Sequence, residues 1–450
     1  MKNYIDWQAK YVWQTFSKEL KIEFTQLIEE GRDVEQYRSL FESARALPDG
    51  PEKAAIADQL FALTCDAPMR ADYPYNEPSD IEGIRAARPA RHFPKKSCDR
   101  EKLADKLRGA WLGRICGCLL GKPCEGSRTE ALVPMLKDAG NYPMHRYILT
   151  TDFDEKSCEK YGYHFHGWCM ADNLNGSSPV DDDTNYTVLA QELIKQYGRD
   201  FTSHNVASIW QSRQPVTAYC TAERIAVVNL INGIRPPLSA VYENPCREWI
   251  GAQIRADYYG YINPGDPETA ADMAWRDAAI SHVKNGIYGE MFVAAMLAEA
   301  AVEDDIKTVI KAGLGEIPES CRLSEAVNEV LSWYEDGVPQ EEAFARIHEK
   351  WDEHTDHGWC HTISNAMIVT AALLYGKGVY GRSICMAVET GFDTDCNGAT
   401  VGSILGLMGG ESIIEPEWTR PVGGKLATSI IGVGTASIDE LVATTISHIL

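Results

Sequence analysis

"VETGFDTDCNGATVGSILG", residues 388 to 406, decides how the chain is read. Gly398, Gly402 and Gly406 recur every four residues. That spacing lines one face of a helix, and residues this small let a neighbouring backbone come close. Asp393 and Asp395 stand where this helix begins. The reading is a deeply buried helix whose tight packing holds its acids in a fixed place. A second acidic knot, "VDDDTNYTVLAQELI" (180–194), has the same design. Pro179 precedes Asp181, Asp182 and Asp183, and Val188, Leu189, Leu193 and Ile194 then return at helical spacing.

Working outward, apolar residues keep helical spacing over 186–197, 204–232, 270–301, 324–335, 341–351, 361–375, 380–388 and 398–408. Period-2 alternation is scarce, and no GxGxxG or GxxxxGK[ST] pattern occurs. The expected fold class is all-α, a compact multi-helix core over residues 101–450. Residues 1–100 read as a helical N-terminal extension and linker. The helical part carries Trp7, Tyr11, Val12, Phe16 and Leu20, then Leu40, Phe41, Ile56, Leu60 and Leu63. "LPDGPE" (47–52) separates two of its helices, and the stretch 66–100, rich in proline and charge, reads as the linker. Residues 139–178, rich in Gly, Asn, Asp and aromatics, read as one long irregular loop.

Composition narrows the function classes. Lys plus Arg number 43 against 65 Asp plus Glu, a formal charge of -22. Such a chain repels duplex nucleic acid. The 13 cysteines are scattered with no Cys-x-x-Cys pair. No apolar signal core and no run of membrane-spanning length is read, so a reducing cytoplasm is the expected compartment.

The acids need an explanation beyond capping. An aspartate at a helix N-cap satisfies orphan N–H groups, which accounts for one or two of them. Three adjacent carboxylates in a partly buried place repel one another more than the helix dipole returns. A bound divalent cation removes the conflict. Ligands of carboxylate, hydroxyl and water suit Mg²⁺, Mn²⁺ or Ca²⁺ rather than Zn²⁺. Five acids from two places suit a pair of ions about 3.5–4 Å apart that share bridging carboxylates.

Taken in order, "LRGAWLGRICGCLLGKPCEG" (107–126), "DDDT" (181–184) and "GFDTDCNGATVGSILG" (391–406) resemble the ADP-ribosylglycohydrolases. The resemblance runs from about residue 104 to the C-terminus and leaves out the first hundred residues. It implies an all-α fold whose central cleft holds two Mg²⁺ ions, or Mn²⁺. The implied metal ligands are Asp181, Asp182, Asp183, Asp393, Asp395 and Cys396. Asp181 stands where the family has a hydroxyl residue. Cys396 stands where it has a threonine, and a thiol is a poor Mg²⁺ ligand. Glu125, Asp182 and Asp395 are the implied catalytic residues. The implied reaction is hydrolysis of the glycosidic bond between ADP-ribose and an acceptor, either a protein side chain or a small molecule. The resemblance implies that Asn263, Gly265, His282, Asn285, Gly286 and Gly289 lie near the substrate's phosphates and ribose; "GWCHTISNA" (358–366) adds His361 and Asn365 at a helix start whose N–H groups suit a pyrophosphate. The aromatic loop "EKYGYHFHGWCMADNLNG" (159–176) offers a stacking surface for adenine. Two other readings stay open: an N-glycosidase acting on a small nucleoside or ADP-ribose derivative, and a non-catalytic binding or blocking protein that uses the extension to cover a partner.

Overall fold

The computed structural model describes residues 15–90 and 93–449, so the helical spacing at Trp7, Tyr11 and Val12 lies outside the described residues. The extension supplies α1 (Leu20–Glu29), α2 (Arg38–Arg45) and α3 (Pro51–Thr64). Pro51 at the first position of α3 suits a residue with fixed φ and no N–H to leave unsatisfied. These helices enclose a small core of their own, including Phe16, Leu20, Phe24, Phe41 and Leu60.

The larger body is helical, as the spacing predicts. Its site-bearing elements are α4 (Arg100–Gly121), α5 (Asp182–Tyr197), α6 (Pro267–Ala278), α7 (Lys284–Ala300), α8 (Thr362–Gly376), α9 (Thr394–Gly409) and α10 (Ile438–Ile449). All residues of α7 are buried, its polar Lys284, Asn285, Glu290 and Glu299 among them. The centre of the body is the antiparallel pair α4 and α9. Gly109 faces Gly406, Gly113 faces Gly402, Gly117 faces Gly398, and Gly121 faces Thr394. A methyl group on any of these glycines would stand closer than 3.0 Å to the opposite carbonyl oxygen. The sequence showed the stripe on α9; the matching stripe on α4 is its partner.

Two long periodic stretches are each broken in two. Residues 204–232 form Ser203–Arg213 and Thr221–Ile231, with Pro215 between them. Residues 270–301 form α6 and α7, and no glycine or proline marks the break. Distant groups capture the backbone there instead. Ser239 donates to the Ile280 carbonyl at 2.7 Å, Asn244 to that of Ser281 at 2.9 Å, and the Val283 N–H to that of Arg247 at 3.0 Å.

One small sheet was not foreseen. β1 (Lys425–Ala427) pairs antiparallel with β2 (Thr435–Ser437), with Leu426 opposite Ala436. Ser178 extends this ribbon on its other edge: its N–H donates to the Lys425 carbonyl at 2.9 Å, and its carbonyl accepts from Ala427 at 3.0 Å. The ribbon thus pins the chain just before the first acidic knot. The loop 139–178 is mostly irregular, with a short helix at Glu155–Tyr161. The described parts of the linker, 66–90 and 93–100, form a packed strap. Ile84 is fully buried in the main core, the Pro78 carbonyl accepts from Tyr288 at 2.5 Å, and the Lys96 N–H donates to Gly265 at 2.8 Å. Among the described residues, no helix is long and apolar enough to cross a membrane.

Candidate functional site

Three helix ends meet in one place: the C-terminal end of α4 and the N-terminal ends of α5 and α9. Asp181 is the N-cap of α5, and its carboxylate accepts the Asp183 N–H at 2.9 Å. Capping therefore explains one of the three acids, as the first-turn chemistry allows. Asp182 is half-buried and Asp183 fully buried. Arg114, inside α4 and fully buried, holds Asp183 in position. Its guanidinium donates to the Asp183 carbonyl at 3.0 and 2.8 Å and to Oδ1 at 3.1 Å. Its remaining Nη donates to Asp257 Oδ2 at 2.8 Å.

Asp393 is the N-cap of α9, and the chain reaches it through two left-handed residues, Gly391 (φ 77°) and Phe392 (φ 60°). A buried phenylalanine in that region costs about 1–3 kcal/mol, so the surrounding contacts must hold it. Asn365 on α8 does so. Its Oδ1 accepts from the Asp393 N–H at 3.1 Å and from Asn397 at 2.8 Å, while its amide nitrogen donates to the carbonyls of Trp359 and His361, each at 2.9 Å. The Thr394 hydroxyl donates to the last carbonyl of α4, that of Gly121, at 2.9 Å.

Lys122 links the two knots. Its ammonium lies 2.7 Å from Asp181 Oδ2, 3.0 Å from Asp395 Oδ2 and 2.8 Å from Glu125 Oε2. Acids more than two hundred residues apart in sequence are thus gathered around one cation. Burial alone would raise the Asp181 carboxyl, but the Lys122 charge outweighs it and holds the group below its ordinary range. Burial, then the Asp181 charge, pushes Asp182 up to about 6. Burial, then the Asp395 charge, drives Asp393 well up. Asp183 is also driven well up by burial, against the pull of Arg114. Glu125 reaches solvent with its side chain 40% exposed, yet partial burial of its carboxyl and then the Asp395 charge push it up to about 8. The cluster is short of positive charge.

The donor set fits a divalent cation. Asp183 Oδ2 and Asp395 Oδ1 are buried without a hydrogen-bond partner, and a buried carboxylate oxygen left this way is costly. Ligand atoms of Asp183, Asp395 and Cys396 lie within 4.8 Å of one another, as do those of Cys118, Asp181 and Asp183. Lys122, Arg114 and Cys118 were not singled out from the sequence. A lone arginine in "GAWLGRICG" and a lysine three residues before Glu125 were the available signals.

The other expected residues lie elsewhere. Asn263 donates to the Tyr259 carbonyl at 2.8 Å and accepts from Arg199, and Gly265 (φ 75°) completes its turn. Their hydrogen bonds do not go to the carboxylate cluster. Asn285 donates to Glu77 at 2.8 Å and to Glu248 at 3.1 Å. Gly286 packs against the Arg247 carbonyl and Gly289 against Thr362. His282 lines a cavity of about 920 Å³ between the extension and the body. These residues adjoin a second polar network, where α1 docks. Arg247 meets Glu23 at 2.7 Å and Glu30 at 2.5 Å, and Arg322 meets Glu77 at 3.0 Å and Glu248 at 2.7 Å.

His361 belongs to this network with His357 and Glu29, a trio whose ligand atoms are close enough for a metal. Its tautomers argue against one. His357 Nδ1 accepts from Trp249 at 3.1 Å, and His361 Nδ1 accepts from the Ile363 N–H at 3.1 Å. Each ring proton then sits on Nε2, which leaves no lone pair for a metal. His357 Nε2 donates to Glu29 at 2.9 Å. The aromatic loop packs beside Glu125, with Tyr163 donating to the Pro123 carbonyl at 2.9 Å and Phe165 and Trp168 exposed. His164 and His166 form no metal cluster among the described residues.

Residues 99–445 match the family model described as ADP-ribosylglycohydrolase. Among solved structures, the chain is similar to one titled "ADP-ribosylglycohydrolase-related protein complex", at 16% identity and a TM-score of 0.45, covering 78% of this chain and 98% of that one. Comparison with curated proteins gives no match.

Proposed function

Because the chain belongs to the ADP-ribosylglycohydrolase family, we propose that it hydrolyses the glycosidic bond joining ADP-ribose to an acceptor, with divalent metal held by its two acidic knots. One observation carries the reading. The knots at 181–183 and 393–395 share a single centre, and two of their buried carboxylate oxygens have no partner. Asp181, Asp183 and Asp395 would hold Mg²⁺ or Mn²⁺, with Cys396 beside them. When bound, such an ion binds ribose hydroxyls and lowers the pKa of water.

The protein's own groups supply the rest. Glu125 is the cluster's solvent-facing acid, and Lys122 fixes its carboxyl through Oε2. A solvent-facing carboxyl at the edge of the cluster suits a group that passes a proton to or from the reacting oxygen. Cleavage at an anomeric carbon develops positive charge on the ribose, and the carboxylates of Asp182 and Asp395 favour that charge. Phe165 and Trp168 offer exposed ring faces at the rim for the adenine.

The test is a panel of ADP-ribosylated arginine, serine and small-molecule acceptors, assayed with Mg²⁺ or Mn²⁺ for released ADP-ribose. One acceptor class should be cleaved, and Asp395→Asn should lower its rate at least about a thousandfold. Release from no acceptor, or an Asp395→Asn enzyme with the wild-type rate, would refute the proposal.

A further inference from the structure

The geometry points to Lys122 as the second cation of this centre: a single divalent ion belongs among Asp183, Asp395 and Cys396, and the lysine ammonium stands in for another among Asp181, Asp395 and Glu125. The inference rests on the metal reading above and changes its stoichiometry from two ions to one.

An ammonium has three hydrogens to give, and three carboxylates surround this one at 2.7, 3.0 and 2.8 Å. Its side chain is only 16% exposed, so these acids are its main company. Mg²⁺ requires its oxygens at about 2.0–2.1 Å in a near-octahedral shell. An ion placed on the same Asp181 and Asp395 oxygens would have to evict the lysine. It would also face an ammonium a few ångströms away in a poorly solvated pocket, where like charges repel strongly. The backbone does not relieve this. Lys122 directly follows Gly121, whose carbonyl is bonded to Thr394 and whose Cα lies against the start of α9. Lys122 and Pro123 then form a tight 3-10 turn.

The other half of the centre is free of lysine. Asp395 Oδ1 and Asp183 Oδ2 are buried without hydrogen-bond or ion-pair partners, whereas Asp395 Oδ2 takes a hydrogen bond from the ammonium and Asp181 Oδ2 is held by its charge alone. Asp395 therefore offers one oxygen to each cation. Asp183 is fixed by Arg114 through its other oxygen, which leaves Oδ2 available. Cys396, whose ligand atom is within 4.8 Å of both acids, completes that side.

Mn²⁺ tests this on the 450-residue chain, by titration calorimetry for stoichiometry and by electron paramagnetic resonance for ion–ion coupling. Wild type should bind one Mn²⁺ per chain and show an uncoupled six-line spectrum. Lys122→Met should bind a second Mn²⁺ at least about tenfold more tightly than wild type does and show a coupled spectrum. Lys122→Arg, which keeps the charge, should stay at one ion. Two coupled Mn²⁺ ions in wild type would overturn the inference and leave the metal-hydrolase reading standing. So would single occupancy in both Lys122→Met and Lys122→Gln with native circular dichroism. Failure of every form to bind Mn²⁺ would overturn the metal reading itself and this assignment with it.

Discussion

Gly113→Ala places one methyl group at the closest approach of α4 and α9. Alanine is the better helix former by about 1 kcal/mol, so in an open helix this change would stabilise. Here the new carbon would overlap the Gly402 carbonyl oxygen, with the Cα of Gly406 3.5 Å away. The obstacle is backbone rather than the end of a flexible side chain, so the two helices must part by roughly 1 Å. Overpacking of this kind costs about 1–3 kcal/mol and sometimes more. With no soft neighbour to yield, the upper end of that range applies, and the net loss is about 2 kcal/mol after the helix-propensity gain. For a 450-residue chain the unfolding entropy is of order 0.9 kcal/mol/K, which converts the loss to a melting point lowered by roughly 2 °C. Differential scanning calorimetry with and without Mn²⁺ is the assay. Metal affinity should fall as well, because the parted helices carry Lys122 on one side and Asp395 on the other. Gly50→Ala is the control, since nothing lies within 4 Å of the added carbon there. A Gly113→Ala protein that melts at or above wild type would refute the packing account.

Arg114→Met should cost about 3–5 kcal/mol, because it leaves the buried carboxyls of Asp183 and Asp257 without their shared cation; chemical denaturation measures this. His361 gives a pH signature. Burial depresses it from 6.5 to about 3. The unfolded chain therefore takes up this proton first as pH falls. Its contribution is intact above pH 6.5 and is lost on acidification at about 1.4 kcal/mol per pH unit. His361→Gln should flatten the slope of stability against pH between 6.5 and 4 by about one proton, and an unchanged slope would contradict the neutral assignment. Trp168→Ala should raise KM for the cleaved ADP-ribosyl substrate by about 10-fold, as expected for loss of one stacking partner, with kcat nearly unchanged.

The parts of the fold written in local pattern were legible. The glycine repeat at 398, 402 and 406 announced a close helix contact, and the two aspartate knots announced helix starts too charged for capping. What escaped depended on distant partners. The break between α6 and α7 is made by Ser239, Asn244 and Arg247, none of them near it in sequence. The β1–β2 ribbon is three residues per strand, too short for alternation to register. Asn285 and His361 read as polar groups lining a cleft, and nothing in the sequence signals that Asn285 donates to Glu77 of the linker. Only the fold reveals that α1 and the strap deliver Glu23, Glu30 and Glu77 to waiting arginines. Lys122 gave no signal for a simpler reason: in "GKPCEG" (121–126) a lone lysine at a Gly-Pro turn, with one acid near it, reads as surface charge.

The docking of α1 has a consequence for any attempt to trim this protein to its family-matching portion. A polypeptide starting at residue 99 would strip Arg247 of Glu23 and Glu30, Arg322 of Glu77, and Lys284 of the Glu30 carbonyl. Those side chains would then form a basic, sticky scar on an otherwise anionic molecule. Shortened versions should therefore bind polyanions or precipitate at low ionic strength, and their behaviour would say little about the intact chain.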